Sequence, residues 1–129
     1  MLSLLKQKIS KEYIYIKKHP SQLISLEEGL SKNKNAKDKV SETALYFSEM
    51  IDYNRLKYII KLINNMDGKY IMNISQVKEA VEFLLVKAIE NFISNPKDSS
   101  YISENIVLTV SSYGGKHYIS ICPRFDFGK

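Results

Sequence analysis

The side chains best suited to acid/base, nucleophilic or metal chemistry are His19, His117, Cys122 and the carboxylate pairs Glu49/Asp52 and Glu79/Glu82. Familiar metal sites draw several His, Cys or carboxylate ligands at set spacings, and two histidines with one cysteine do not supply such a pattern. His19 stands before Pro20 at the end of a predicted helix, where it reads as a capping or solvated group. His117 and Cys122 lie five residues apart in one predicted strand, so side-chain alternation points them to opposite faces and removes the one nearby nucleophile–base pair. Cys122 reads as a small buried thiol. Both carboxylate pairs fall opposite the apolar positions of predicted helices, the pattern of a solvated face. The chain has no Walker-type loop, no dinucleotide glycine fingerprint and no nucleophile elbow. The expectation is therefore a protein without catalytic residues, metal or cofactor. An enzyme would need a pocket converging on Tyr113, His117 and Arg124.

Charge is the other resource. Residues 1–39 hold nine lysines, Lys6, Lys8, Lys11, Lys17, Lys18, Lys32, Lys34, Lys37 and Lys39, against Glu12, Glu27, Glu28 and Asp38. That surplus of five equals the net charge of the whole chain, so residues 40–129 are electrically neutral. Attraction to phosphate, acidic lipid or an acidic protein must therefore be mediated by the first third. If seven of those lysines touched phosphates, nucleic-acid affinity would fall with a log–log salt slope of about −6, and Tyr13 and Tyr15 could stack on the bases of a single strand.

These groups must be positioned by a chain of 129 residues, 44% hydrophobic and 26% charged, which suits one soluble domain with its own core. The composition excludes disorder, collagen and a disulfide scaffold. Apolar runs are a few residues long, well short of the roughly 20 that span a bilayer, so no transmembrane segment is expected. Apolar residues precede the first lysines, unlike a secretory signal, and a cytoplasmic location is the expectation.

Leu2, Leu5, Ile9, Tyr13 and Ile16 recur at intervals of three and four, predicting a helix over 2–18, with a short strand at 13–16 as the competing reading. A short helix capped by Ser21, with Leu23, Leu26 and Leu30 inward, leads to a polar basic connector, 31–39, read as a mobile loop. Val40, Ala44, Phe47, Ile51, Tyr58, Ile59, Leu62 and Ile63 mark helical structure to about Met66, broken in two near residues 52–55. Asp67-Gly68 is a stop, and 69–73 suits a short strand. Asn73 and Gln76 form a capping-box pattern ahead of a long helix with Val77, Val81, Leu84, Leu85, Ala88, Ile89, Phe92 and Ile93 inward, closed by Asn95-Pro96. Gly114-Gly115 then predicts a two-residue hairpin pairing Val110 with Ile119, Leu108 with Ile121 and Ile106 with Pro123 on an apolar face. Ser111 with Tyr118, Thr109 with Ser120 and Val107 with Cys122 form a mixed, partly solvated face. Phe125 and Phe127 in the tail could tuck back onto the core.

The run Phe83 to Asn91, followed by a hairpin ending in Ile119 to Gly128, resembles the helix, strands and glycine box of the ATPase module of histidine kinases and anti-sigma kinases. The likeness covers about fifty residues. It aligns Lys87 with that family's metal-binding asparagine and Phe83 with its general base, and it leaves Asp126 and Gly128 from the adenine-contacting box. The resemblance therefore implies a non-catalytic relic. A winged-helix reading takes 54–66 as the first helix, 70–72 as the small strand, a helix pair from Ser75 and the glycine hairpin as the wing. Its recognition helix would offer only Lys87 beside Glu90 over 86–95, and its wing only Lys116.

The expected fold is α+β, mainly helical with four to five helices, and with a C-terminal β-hairpin in a small two- or three-stranded antiparallel sheet. A single domain would span 1–129, its basic helical region 1–39 joined through the 31–39 connector to the core 40–129. The expected function is a non-enzymatic adaptor, inhibitor or regulator acting by protein–protein contact and self-association. Nucleic-acid binding by the basic third is the alternative, with peripheral membrane contact a lesser one.

Overall fold

The computed structural model describes residues 24–67, 73–103 and 106–124 together with Gln7, with the backbone alone for 63–67. The expected helix over 2–18 and its strand alternative, the cap at Ser21, Leu23, the strand before Asn73 and the two tail phenylalanines lie outside the described residues.

The first of the described helices, α1 (Leu26–Lys32), starts at a Ser25 cap whose Oγ accepts the Glu28 N–H at 3.1 Å. Asn33 ends it, its Nδ2 donating to the Gly29 carbonyl at 3.0 Å. Leu26 is fully buried in the main core cluster, so α1 is part of the core. The basic connector read as a loop is shorter than expected. Lys32 still belongs to α1, 33–38 form turns closed by Asn33 N–H to Leu30 O and Ala36 N–H to Asn33 O, and Lys39 already opens the next helix. Asp38 caps that helix, α2 (Lys39–Glu49), by accepting the Ser41 N–H at 3.1 Å. The expected break follows. Asp52 accepts the Arg55 N–H at 3.1 Å and starts α3 (Tyr53–Asp67).

The long helix α4 (Ile74–Ser94) carries the expected capping box, with Asn73 Oδ1 accepting the Gln76 N–H at 2.9 Å and Gln76 Oε1 accepting the Asn73 N–H at 3.0 Å. Val77, Val81, Leu84, Leu85, Ala88, Ile89 and Phe92 are buried as the periodicity requires. Ile93 is a correction: it is 46% exposed, because at the last turn it has rotated past the edge of the buried stripe.

Three antiparallel strands, β1 (Ser99–Ile102), β2 (Ile106–Tyr113) and β3 (Lys116–Pro123), lie in the order β1-β2-β3. All six expected cross-strand pairs of the hairpin are present in register. Gly114 and Gly115 take φ of 59° and 82°, the left-handed conformation a tight two-residue turn needs. The apolar face, Ile106, Leu108, Val110, Ile119, Ile121 and Pro123, is buried. On the mixed face only part is solvated: Ser120 and Cys122 are buried in β3, which α1 and α3 contact. Helix α4 packs on β1 and β2, and α2 packs on α4. The described residues thus form an α+β fold of four helices and a C-terminal antiparallel sheet. A single continuous helix stands where the winged-helix reading required a pair from Ser75.

Two positions test this packing. A Cβ on Gly29 would lie 2.5 Å from Phe47 Cε2, and Phe47 is fully buried. Gly29→Ala should therefore lower stability by about 1–3 kcal/mol in urea unfolding, despite the gain in helix propensity, and a Phe47→Leu background should shrink the loss; stabilisation by Gly29→Ala alone would contradict the close approach. Thr43 Oγ1 is buried with no hydrogen-bond partner among the described residues, so Thr43→Val should be neutral or raise stability by about 1 kcal/mol in the same measurement.

Candidate functional site

Of the binding residues expected in the basic third, Lys6, Lys8, Lys11, Tyr13, Tyr15, Lys17 and Lys18 lie outside the described residues. The other four follow one another along the α1–α2 junction. Lys32 Nζ sits 5.4 Å from the centroid of the Tyr46 ring, and hydrogen bonding to Tyr46 holds its ammonium above the usual lysine range. Lys34 and Lys37 are exposed in the turns, and Lys39 is partly buried in the first turn of α2. Asp38, their acidic neighbour, is committed to its cap; the Ser41 N–H bond holds its carboxyl below the usual range.

His117 stands beside the turn, across the strands from Ser112. The register is as expected, yet the imidazole is only 17% exposed, because three elements converge on it. Tyr113 and Lys116 close the two-residue turn, so the next pair turns the His117 N–H away from β2 toward the sheet edge. Glu27 of α1 meets it there: Oε1 accepts the His117 backbone N–H at 3.0 Å and Oε2 lies 2.8 Å from Nδ1. An ionised carboxylate only accepts, so Nδ1 carries the proton in this pair. Asp98, between α4 and β1, places Oδ1 3.8 Å from Nε2. Phe92 of α4 packs edge-on against the imidazole at 4.9 Å between centroids. Beside this cluster, Lys116 Nζ pairs with Glu28 Oε1 at 3.2 Å.

This arrangement is a clamp. Both imidazole nitrogens face carboxylates, and Cys122 belongs to the opposite face of the strand. Nor do Tyr113, His117 and Arg124 form a pocket. Tyr113 is 80% exposed beside the turn, whereas Arg124 lies beyond the far end of β3, seven residues and about 23 Å of extended chain from His117. Among the described residues no group of three or more His, Cys, Asp or Glu side chains could hold a metal ion, and no helix is long and apolar enough to cross a membrane. Glu27, Glu28, Asp98 and Phe92 were not legible as partners of the hairpin, since Glu27 contacts a residue 90 positions away. The sole hint was an acidic pair inside a lysine-rich third.

The second candidate lies on the outward side of α4. With the apolar stripe from Val77 to Phe92 buried, helical geometry turns Gln76, Glu79, Ala80, Phe83, Val86, Lys87 and Glu90 away from the sheet. Phe83 sits at the middle of this stripe and is 60% exposed. Gln76, Glu79, Ala80 and Phe83 line an open hollow of about 320 Å³. Lys87 Nζ lies 5.1 Å from the Phe83 ring centroid. The two positions that the ATPase resemblance aligns with a metal ligand and a general base are thus a stacked lysine–phenylalanine pair, and neither side chain can do those jobs. Asp126 and Gly128 lie outside the described residues.

The clamp makes a prediction about acid. Burial acts to raise the Glu27 pKa, but hydrogen bonds from the His117 backbone and side chain outweigh it and hold the carboxyl below its ordinary 4.5. Such a group adds stability above about pH 4.5 that is lost as pH falls through its lower folded-state value. Glu27→Gln should lower stability near neutrality by about 1 kcal/mol, a modest figure because Glu27 is partly exposed, and should flatten stability against pH between about 5 and 3. Urea midpoints over that range check this, and parallel curves for variant and wild type would contradict it.

Compared with protein-family models, curated proteins and solved structures, the chain matches none.

Proposed function

We propose that this chain is a non-enzymatic protein that works by contact with protein, as an adaptor, inhibitor or regulator, through the outward side of α4. The observation that carries the reading is Phe83, a large aromatic at the centre of the helix's solvent side and beside an open hollow. Burying such a side chain is worth about 1.5–3 kcal/mol, and aromatic residues are enriched at interface centres while charged groups populate the rim. Glu79, Lys87 and Glu90 form such a rim. The chemistry-bearing residues elsewhere fit the same reading, because His117, Glu27 and Asp98 are engaged with one another in the clamp. A cytoplasmic location belongs to this reading, with which a single cysteine is compatible.

A photoreactive phenylalanine analogue placed at Phe83 should crosslink to a polypeptide in cells producing the protein, while the same probe at exposed Glu42 on α2 should not. Equal labelling at both positions, or none at Phe83, would sink the reading.

A further inference from the structure

We propose that the occupant of the α4 face is a second copy of this chain, packed antiparallel about a two-fold axis through Phe83; this rests on reading that face as a protein-contact surface. An interface between two identical surfaces must be complementary to itself when turned through 180°. About an axis at Phe83, a residue a given number of positions before it faces the residue the same number after it on the other copy. Glu79 and Lys87 each stand four positions from Phe83. The two-fold therefore sets acid against base twice, once on each side of the axis. Ala80 and Val86 each stand three positions away and flank Phe83 on its two sides, so the centre of the contact is apolar on both flanks. Both are partly buried and packed against the core of their own chain, which makes them the floor of the contact.

The parallel arrangement is excluded by the same residues, since it would set Glu79 against Glu79 and Lys87 against Lys87. Apolar content alone does not choose between the two arrangements. The charges do.

A shallow, open depression lined by Gln76, Glu79, Ala80 and Phe83 leaves room at the contact beside Ala80. Lys87 already lies over its own Phe83 ring at 5.1 Å, so the ammonium is held near the axis before the copies meet.

Sedimentation equilibrium of the full chain between about 10 and 200 µM tests the proposal. The wild type should reach twice the chain mass, and Phe83→Asp should abolish the dimer. Glu79→Lys or Lys87→Glu alone sets like charges together at both symmetric contacts and should weaken dimerisation at least tenfold. The double exchange should restore it. All these positions face solvent, and unchanged circular-dichroism melting confirms that each variant folds. A chain that stays monomeric throughout overturns the proposal, as does a dimer indifferent to the single exchanges. If a monomeric chain still crosslinks from Phe83 to a different polypeptide, the contact reading stands without the second copy; if it crosslinks to nothing, both fall.

Discussion

Burial of one side of α4 against the sheet is the constraint on which the other features depend. Seven side chains, Val77, Val81, Leu84, Leu85, Ala88, Ile89 and Phe92, turn inward over about four helical turns and are removed from water by the sheet beneath and α2 beside them. Each of the larger ones stabilises the fold by about 1.5–3 kcal/mol when fully buried. A helix held this firmly by one stripe cannot rotate, so its opposite stripe is fixed too. Phe83 is kept at the surface by the packing of its own neighbours Leu84 and Leu85.

The sheet needs a second device, because among the described strands β3 lies at the edge, and sheet edges invite pairing with other chains. Glu27 answers this at the start of the strand by accepting the outward His117 N–H, with Lys116 and Glu28 paired alongside. One acidic pair thereby ties α1 to the hairpin. It also uses the histidine that composition marks out for chemistry as a fastener between α1, α4 and the sheet. The edge at β1 is kept short instead, four residues with two serines.

Local physics made much of this legible. The hairpin register follows from two glycines and the alternation on either side of them, and the capping box of α4 follows from Asn73 and Gln76 three positions apart. The break between α2 and α3 is set by Asp52, a cap recognisable from its type. What could not be read was non-local or weakly patterned. β1 has one serine pair and too few residues for alternation to register, and the helix of Leu26 and Leu30 starts at Ser25, a second serine close behind Ser21 with nothing in the local pattern to separate the two. The clamp joins residues 90 positions apart, a distance at which no periodicity operates. Phe83 was visible in the sequence, but its meaning was not. One aromatic on the solvent side stands out only when the buried side is known residue by residue.

The central claim, that the outward side of α4 is where this protein meets another copy of itself, is tested most directly by amide chemical shifts in a dilution series. Nuclear magnetic resonance of the uniformly labelled chain should show concentration-dependent shifts concentrated on the stripe from Gln76 to Glu90, with Phe83 near the maximum and the Lys34 to Lys37 turns unmoved. Shifts centred on those turns or on β1, or spectra unchanged across the concentration range, would contradict the account.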